Sequence, residues 1–150
     1  APRVEQIEQA IRPDTQALIF SACNGETGVK IDLENIAALA EKHHIPLLID
    51  AVAFIGKEPF TMPPGVSAVC LSGHKFHAPK GIGALIARSH FKLKPVFLGG
   101  AQELQKRAGT ENLPGILGLA EAVTILQSEQ EAIAQTLLDL RCHLENQLLS

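Results

Sequence analysis

The sequence predicts an α/β fold: a mostly parallel sheet flanked by helices, with one antiparallel strand and a long C-terminal helix. Three observations predict it. Short apolar runs alternate with helix-period segments over the first half of the chain, the pattern of strand, helix and strand joined by right-handed crossovers. The run at 46–51 stops abruptly at a carboxylate, as a buried parallel strand does where it meets solvent. The run at 82–87 follows the run at 66–71 too closely for a crossover helix, so those two strands are expected to be antiparallel.

Taken in order, Val4, Ile7 and Ile11 recur at helical spacing, and Pro13-Asp14 ends that pattern before the apolar run from Ala17 to Cys23. Asn24 to Gly28 reads as a glycine-containing loop at the carboxyl end of this first strand. A second helix is expected from an Asp32 N-cap to His44, with Leu33, Ile36, Ala37 and Ala40 as its buried stripe. His43 and His44 close it, where positive charge is favoured. Being adjacent, they point different ways and are assigned no chemistry. Pro46 to Ala51, PLLIDA, is the second strand, Ala51 to Pro64 a connecting loop, and Val66 to Leu71 the third strand. Phe91 to Gly100 is rich in turn residues, and Ala101 to Asn112 reads as a polar loop.

From Leu113 the pattern is helical, through Ile116, Leu119, Ala120, Val123 and Leu126 and then Ile133, Leu137, Leu140, Leu144 and Leu148. A break near Ser128 is allowed but not required. Such a helix exceeds the usual length of roughly 8 to 20 residues, and it is expected to lead toward a second domain outside this sequence. The expected organisation is a partial ligand-binding domain over 1–126 and a long helix over 127–150.

Composition narrows the function. The 150 residues, 46% hydrophobic, suffice for one cored domain, and a net charge of −3 without a basic run makes no case for nucleic acid. No apolar stretch nears the roughly 20 residues of a membrane span, and no secretory core opens the chain, so a soluble, cytoplasmic protein is expected. Cys23, Cys70 and Cys142 are odd in number and scattered, against both a disulfide framework and a CxxC metal site. Cys23 and Cys70 lie in or beside apolar runs and are expected to be core thiols.

The chemistry concentrates in Ser72 to Ala87, SGHKFHAPKGIGALIA. Lys75 falls just beyond the third strand, and a lysine held partly out of water makes its amine available as a nucleophile toward an aldehyde. Asp50 ends the second strand at the same sheet edge, where ligands of open α/β sheets bind. Singly, Lys75 reads more readily as a solvated loop lysine and Asp50 as a cap or loop carboxylate. Together they are the two protein groups that pyridoxal phosphate chemistry requires, one to attach the aldehyde and one to face the pyridine nitrogen. A nucleotide site on PKGIGAL is the weaker alternative, since GxxxxGK is missing.

Four blocks, ACNGETG at 22–28, LLIDA at 47–51, SGHKFHAPKGIGAL at 72–85 and GGAQELQKRAGTEN at 99–112, resemble the cysteine desulfurases in content and order. That family belongs to the class V branch of the fold-type I pyridoxal phosphate enzymes. The resemblance covers about Val4 to Leu126 and implies part of the large cofactor-binding domain. It implies that Lys75 carries the cofactor and moves a proton at the substrate, that Asp50 holds the pyridine nitrogen, and that Ser72 and His74 contact the phosphate. Thr110 matches the position that reaches the phosphate of the neighbouring subunit, which implies a homodimer. L-cysteine is the implied substrate, desulfurated to alanine and an enzyme persulfide. A sulfur-acceptor or iron–sulfur scaffold protein is the implied partner, and no metal site is implied. The family's phosphate loop and ring-stacking histidine would lie upstream of this sequence, and its persulfide cysteine downstream. Gly25 and Ala53 stand where the family has an asparagine and a glutamine that bond the cofactor's phenolic oxygen. The 150-residue chain alone is therefore expected to be inactive, as a truncated or degenerate form. A non-catalytic scaffold homologue, or another class V aminotransferase or lyase, remains the alternative.

Overall fold

The computed structural model describes residues 1–149. The elements are ordered α1 (Val4–Ala10), β1 (Leu18–Ser21), α2 (Leu33–Lys42), β2 (Leu47–Asp50), β3 (Ala68–Ser72), a single 3-10 turn (Gly73–Phe76), β4 (Gly83–Ala87), α3 (Gln102–Gln105) and α4 (Leu113–Leu149). The sheet order is β1-β2-β3-β4. β1, β2 and β3 are parallel, and β4 runs antiparallel to β3, pairing Ser72 with Gly83 and Ala68 with Ala87. The α/β reading and its one antiparallel strand therefore hold.

Side-chain alternation decides what each face of the sheet does. Leu18 and Phe20 of β1, Leu47 and Ile49 of β2, and Val69 of β3 point into a core shared with Ile7 of α1 and with Ile36, Ala37, Leu39 and Ala40 of α2. Leu47 and Ile49 are essentially inaccessible to solvent. Ile19 and Asp50, one step out of phase, emerge on the opposite face and are exposed. The apolar periodicity of α2 supplies its buried side, and Asp32 starts it as expected, its side chain accepting the Asn35 N–H at 3.3 Å.

α1 and α2 are joined at the surface by Glu8, whose Oε1 accepts from Lys42 Nζ at 2.7 Å and lies 2.9 Å from His43 Nε2. The hydrogen bonds from Lys42 and His43 hold the Glu8 carboxyl below its usual range. A carboxyl depressed in the folded state adds stability above its unfolded value and loses it as pH falls through the folded value. Glu8→Gln is expected to lower the melting temperature at neutral pH. In acid the gap from the unaltered protein should close, and a gap independent of pH would contradict the assignment. His43, given no chemistry from sequence, thus has a structural role.

A second small core joins the site to the last helix: Phe76, Ala78, Ala122 and Leu126 pack with Leu71, Ile82, Leu119 and Ile133. Asn112 starts α4, its Oδ1 accepting the Gly115 N–H at 3.1 Å, with Pro114 in the first turn where a missing N–H is harmless. The helix continues through Ser128, whose hydroxyl donates back to the Ile125 carbonyl at 3.0 Å instead of breaking the ladder. Beyond Ile133 the apolar stripe lies open among the described residues: Leu140, Leu144 and Leu148 are 63%, 58% and 75% exposed. Residue 126 lies inside one continuous 37-residue helix.

The segment read as a polar loop over 101–112 contains α3, where Glu103, Leu104 and Gln105 adopt φ of 50°, 54° and 63°. Three successive side chains in the left-handed region cost on the order of 1–2 kcal/mol each. The segment is exposed, with Leu104 90% accessible. Among the described residues no helix is long and apolar enough to cross a membrane, and no group of histidine, cysteine and carboxylate side chains could hold a metal ion.

Candidate functional site

The three parallel strands end at one edge of the sheet, and the loops that leave them carry the residues singled out in the sequence. After β1, the Asn24 side chain accepts from the Glu26 and Thr27 N–H groups at 3.0 and 2.9 Å and from the Thr27 hydroxyl at 3.0 Å. This locks the ACNGETG loop into a compact turn. Lys30 and Glu58, paired at 2.9 Å, tie this loop to the one that follows β2. Gly25 and Ala53 meet here: a Cβ on Gly25 would lie 3.8 Å from that of Ala53. The two departures from the family pattern are therefore one place in space.

Asp50 closes β2. Ile49 and Ala51 on either side are buried in the helix-facing core, so the strand's alternation delivers Asp50 to the other face, where it is exposed. Its Oδ1 accepts the Val52 N–H at 2.9 Å, which fixes the carboxylate against the turn. The register sets Ser21, Asp50 and Cys70 in one row across β1, β2 and β3. Burial pushes the Cys70 thiol up, and the neighbouring Asp50 carboxylate pushes it further. Cys70 and Cys23 are both only half-buried, not core thiols as expected, because they lie on or beside the face of the sheet opposite the α1–α2 core.

Ser72 closes β3, with its Oγ 2.9 Å from His74 Nδ1. The 3-10 turn then divides its residues by direction. Phe76 points inward and is 2% exposed, while His74 and Lys75 point outward into solvent. Two glycines make this possible. Gly73 is buried, and a Cβ there would stand 2.8 Å from Ala78 Cβ, 3.1 Å from Leu119 Cδ1 and 3.2 Å from Ile82 Cγ2. Gly56, at φ +87°, presents its bare backbone to Phe76. Lys57 Nζ donates to the Lys75 carbonyl and braces the turn from outside.

The structure thus brings Asp50, Ser72, His74 and Lys75 to one edge. At Lys75 it differs from the sequence reading: the side chain is exposed, not partly desolvated, because the inward position of the turn goes to Phe76 and nothing among the described residues overhangs the outward one. Thr110 is exposed in the loop before α4 and makes no hydrogen bond to these four residues. A cleft of about 550 Å³, lined by His44, Pro46, Ser67 and His90, lies at the opposite edge, where β2 and β3 begin. Sequence reasoning missed Arg88, which donates to the carbonyls of Met62 and Pro63 at 3.0 Å and holds the long connection ahead of β3. An arginine after an apolar run carries no signal for such a role.

This arrangement is an α/β domain with a strand-end carboxylate and a serine–histidine–lysine turn gathered at one edge of a sheet whose final strand is antiparallel. The sequence profile of the aminotransferase class-V family matches residues 1–150. A cysteine desulfurase IscS from Methanosarcina thermophila is 40% identical over 146 residues, 97% of this chain and 36% of its own length. Among solved structures, one titled a NifS-like protein superposes with a TM-score of 0.92 at 34% identity, covering 98% of this chain and 41% of its own. Another, SspA in complex with cysteine, superposes with a TM-score of 0.78 at 36% identity, covering 90% of this chain and 42% of its own. The chain belongs to the class V aminotransferase family, whose members in general depend on pyridoxal phosphate, and it is similar to the cysteine desulfurases within it. It spans a little over a third of the length of those curated relatives.

Proposed function

We propose that this chain is the core of a pyridoxal phosphate site in a cysteine desulfurase, acting in the cytoplasm to withdraw sulfur from L-cysteine for an acceptor or iron–sulfur scaffold protein. The observation that carries this reading is the meeting of Asp50, Ser72, His74 and Lys75 at one strand edge. The donor set fits the cofactor: a hydroxyl and an imidazole 2.9 Å apart suit a phosphate, an exposed amine suits an aldehyde, and a carboxylate fixed by Val52 N–H suits a protonated ring nitrogen. When bound, pyridoxal phosphate supplies an electron sink for the substrate's α-carbon.

The chain's own residues do the rest. Lys75, on an outward turn braced by Lys57, holds the cofactor and moves a proton at the substrate α-carbon. Asp50 keeps the ring nitrogen charged, and Gly73 lets the Ser72 and His74 donors sit close above the packed Phe76. In this reading residues 1–126 form the cofactor-binding unit and 127–150 a helical extension from it. Three unpaired cysteines are in keeping with a reducing compartment. One observation favours a second reading. Gly25 and Ala53 leave bare the place where the resemblance expects two side chains on the phenolic oxygen, so a non-catalytic scaffold homologue is the alternative. Adding L-cysteine to the cofactor-loaded protein separates them: a change in the cofactor's visible absorbance supports the enzyme, and none supports the scaffold.

Self-association belongs to the same proposal. The exposed Leu140, Leu144 and Leu148, together with Thr110 in a strained exposed loop, are read as surfaces that a second copy covers. Light scattering at low micromolar concentration is expected to give a dimer or larger. A monomer with an ordered C-terminal helix would remove that part of the proposal.

A further inference from the structure

We propose that Cys70 is a positioning residue for Asp50, its thiol donating a hydrogen bond to the carboxylate oxygen that Val52 does not engage. The inference rests on the pyridoxal phosphate reading above and deepens it. Parallel pairing aligns Asp50 with Cys70 on neighbouring strands, and side chains so aligned leave the same face about 4.8 Å apart at their bases. Asp50 Oδ1 is occupied by the Val52 N–H at 2.9 Å, so Oδ2 is the acceptor left for a second donor. Ser21, the partner of Asp50 on the other side, is exposed at the β1 edge, whereas Cys70 is half-buried between β2 and β4. The strand neighbour held within packed structure is therefore the thiol.

Burial and the Asp50 charge both keep that thiol protonated, the state in which it can donate. With Val52 on one oxygen and Cys70 on the other, the carboxylate can neither rotate nor withdraw, and it presents one orientation to a ring nitrogen.

The contact is read first without cofactor. In the full chain, Asp50→Asn removes the charge but keeps the acceptor for Val52. Alkylation of Cys70 by iodoacetamide at pH 8, followed on its own peptide with Cys23 and Cys142 as internal references, is expected to become on the order of three- to tenfold faster. An unchanged rate would overturn the contact. The role is read next from the dissociation constant of pyridoxal phosphate in Cys70→Ser and Cys70→Ala. Both side chains are smaller than cysteine and lose similar packing, but only serine keeps a donor. Cys70→Ser is expected to bind within about twofold of the unaltered chain and Cys70→Ala about fivefold more weakly. Equal behaviour of the two would show a space-filling residue and overturn the proposal. A chain that takes up no pyridoxal phosphate, yet whose Cys70 responds to Asp50→Asn, would overturn the functional reading and the cofactor role of the pair with it.

Discussion

Replacing Asp50 by asparagine is expected to weaken pyridoxal phosphate binding about 10- to 150-fold, with little change in the fold. The first figure follows from a hydrogen bond to a charged group, worth about 1.5–3 kcal/mol. The second follows from position. Asp50 is exposed on the face away from the helix-facing core, and asparagine can still accept the Val52 N–H, so thermal stability should move by less than about 0.5 kcal/mol. Titrating the cofactor by absorbance against both proteins, alongside their unfolding curves, separates the two effects. A variant that binds as well as the parent would leave Asp50 as an ordinary turn carboxylate.

Gly73→Ala is expected to act in the opposite order, on the fold first and the site second. Its new methyl would stand 2.8 Å from Ala78 Cβ, an atom that cannot move without its backbone, as well as against Leu119 and Ile82. Overfilling a packed place of this kind costs about 1–3 kcal/mol. Relief can come only by pushing the 3-10 turn outward or α4 away, and either displaces His74 and Lys75. Loss of stability should therefore be accompanied by loss of cofactor binding in the fraction that remains folded. A stable Gly73→Ala protein with unaltered binding would mean that the second core yields more easily than its geometry implies.

The two substitutions also mark what was legible in the sequence. That Asp50 and Lys75 lie at one sheet edge was readable because the apolar run ends at the first and just before the second. Asp32 was readable as a cap because an N-cap is a local interaction. The antiparallel β4 followed from chain length alone. What could not be read depends on register and on long-range contact. That Cys70 stands beside Asp50 requires the pairing of β2 with β3, and a shift of one residue would have sent it to the other face.

The meeting of Gly25 with Ala53, the hold of Glu8 on α2 and the reach of Arg88 to Met62 likewise join segments far apart in the chain. The exposure of Lys75 turned on whether it or Phe76 took the inward position, which composition does not determine. The left-handed residues 103–105 ran against local preference, and nothing in Glu-Leu-Gln announces them.

The central claim is that Lys75 is the residue to which pyridoxal phosphate attaches, and reduction tests it most directly. The protein is incubated with the cofactor, treated with borohydride, digested, and the labelled peptide mapped. A single label on the peptide containing Ser72-Gly73-His74-Lys75, lost in Lys75→Ala, is the expected result. A label spread over the exposed lysines, or one that survives Lys75→Ala at the same level, would contradict it.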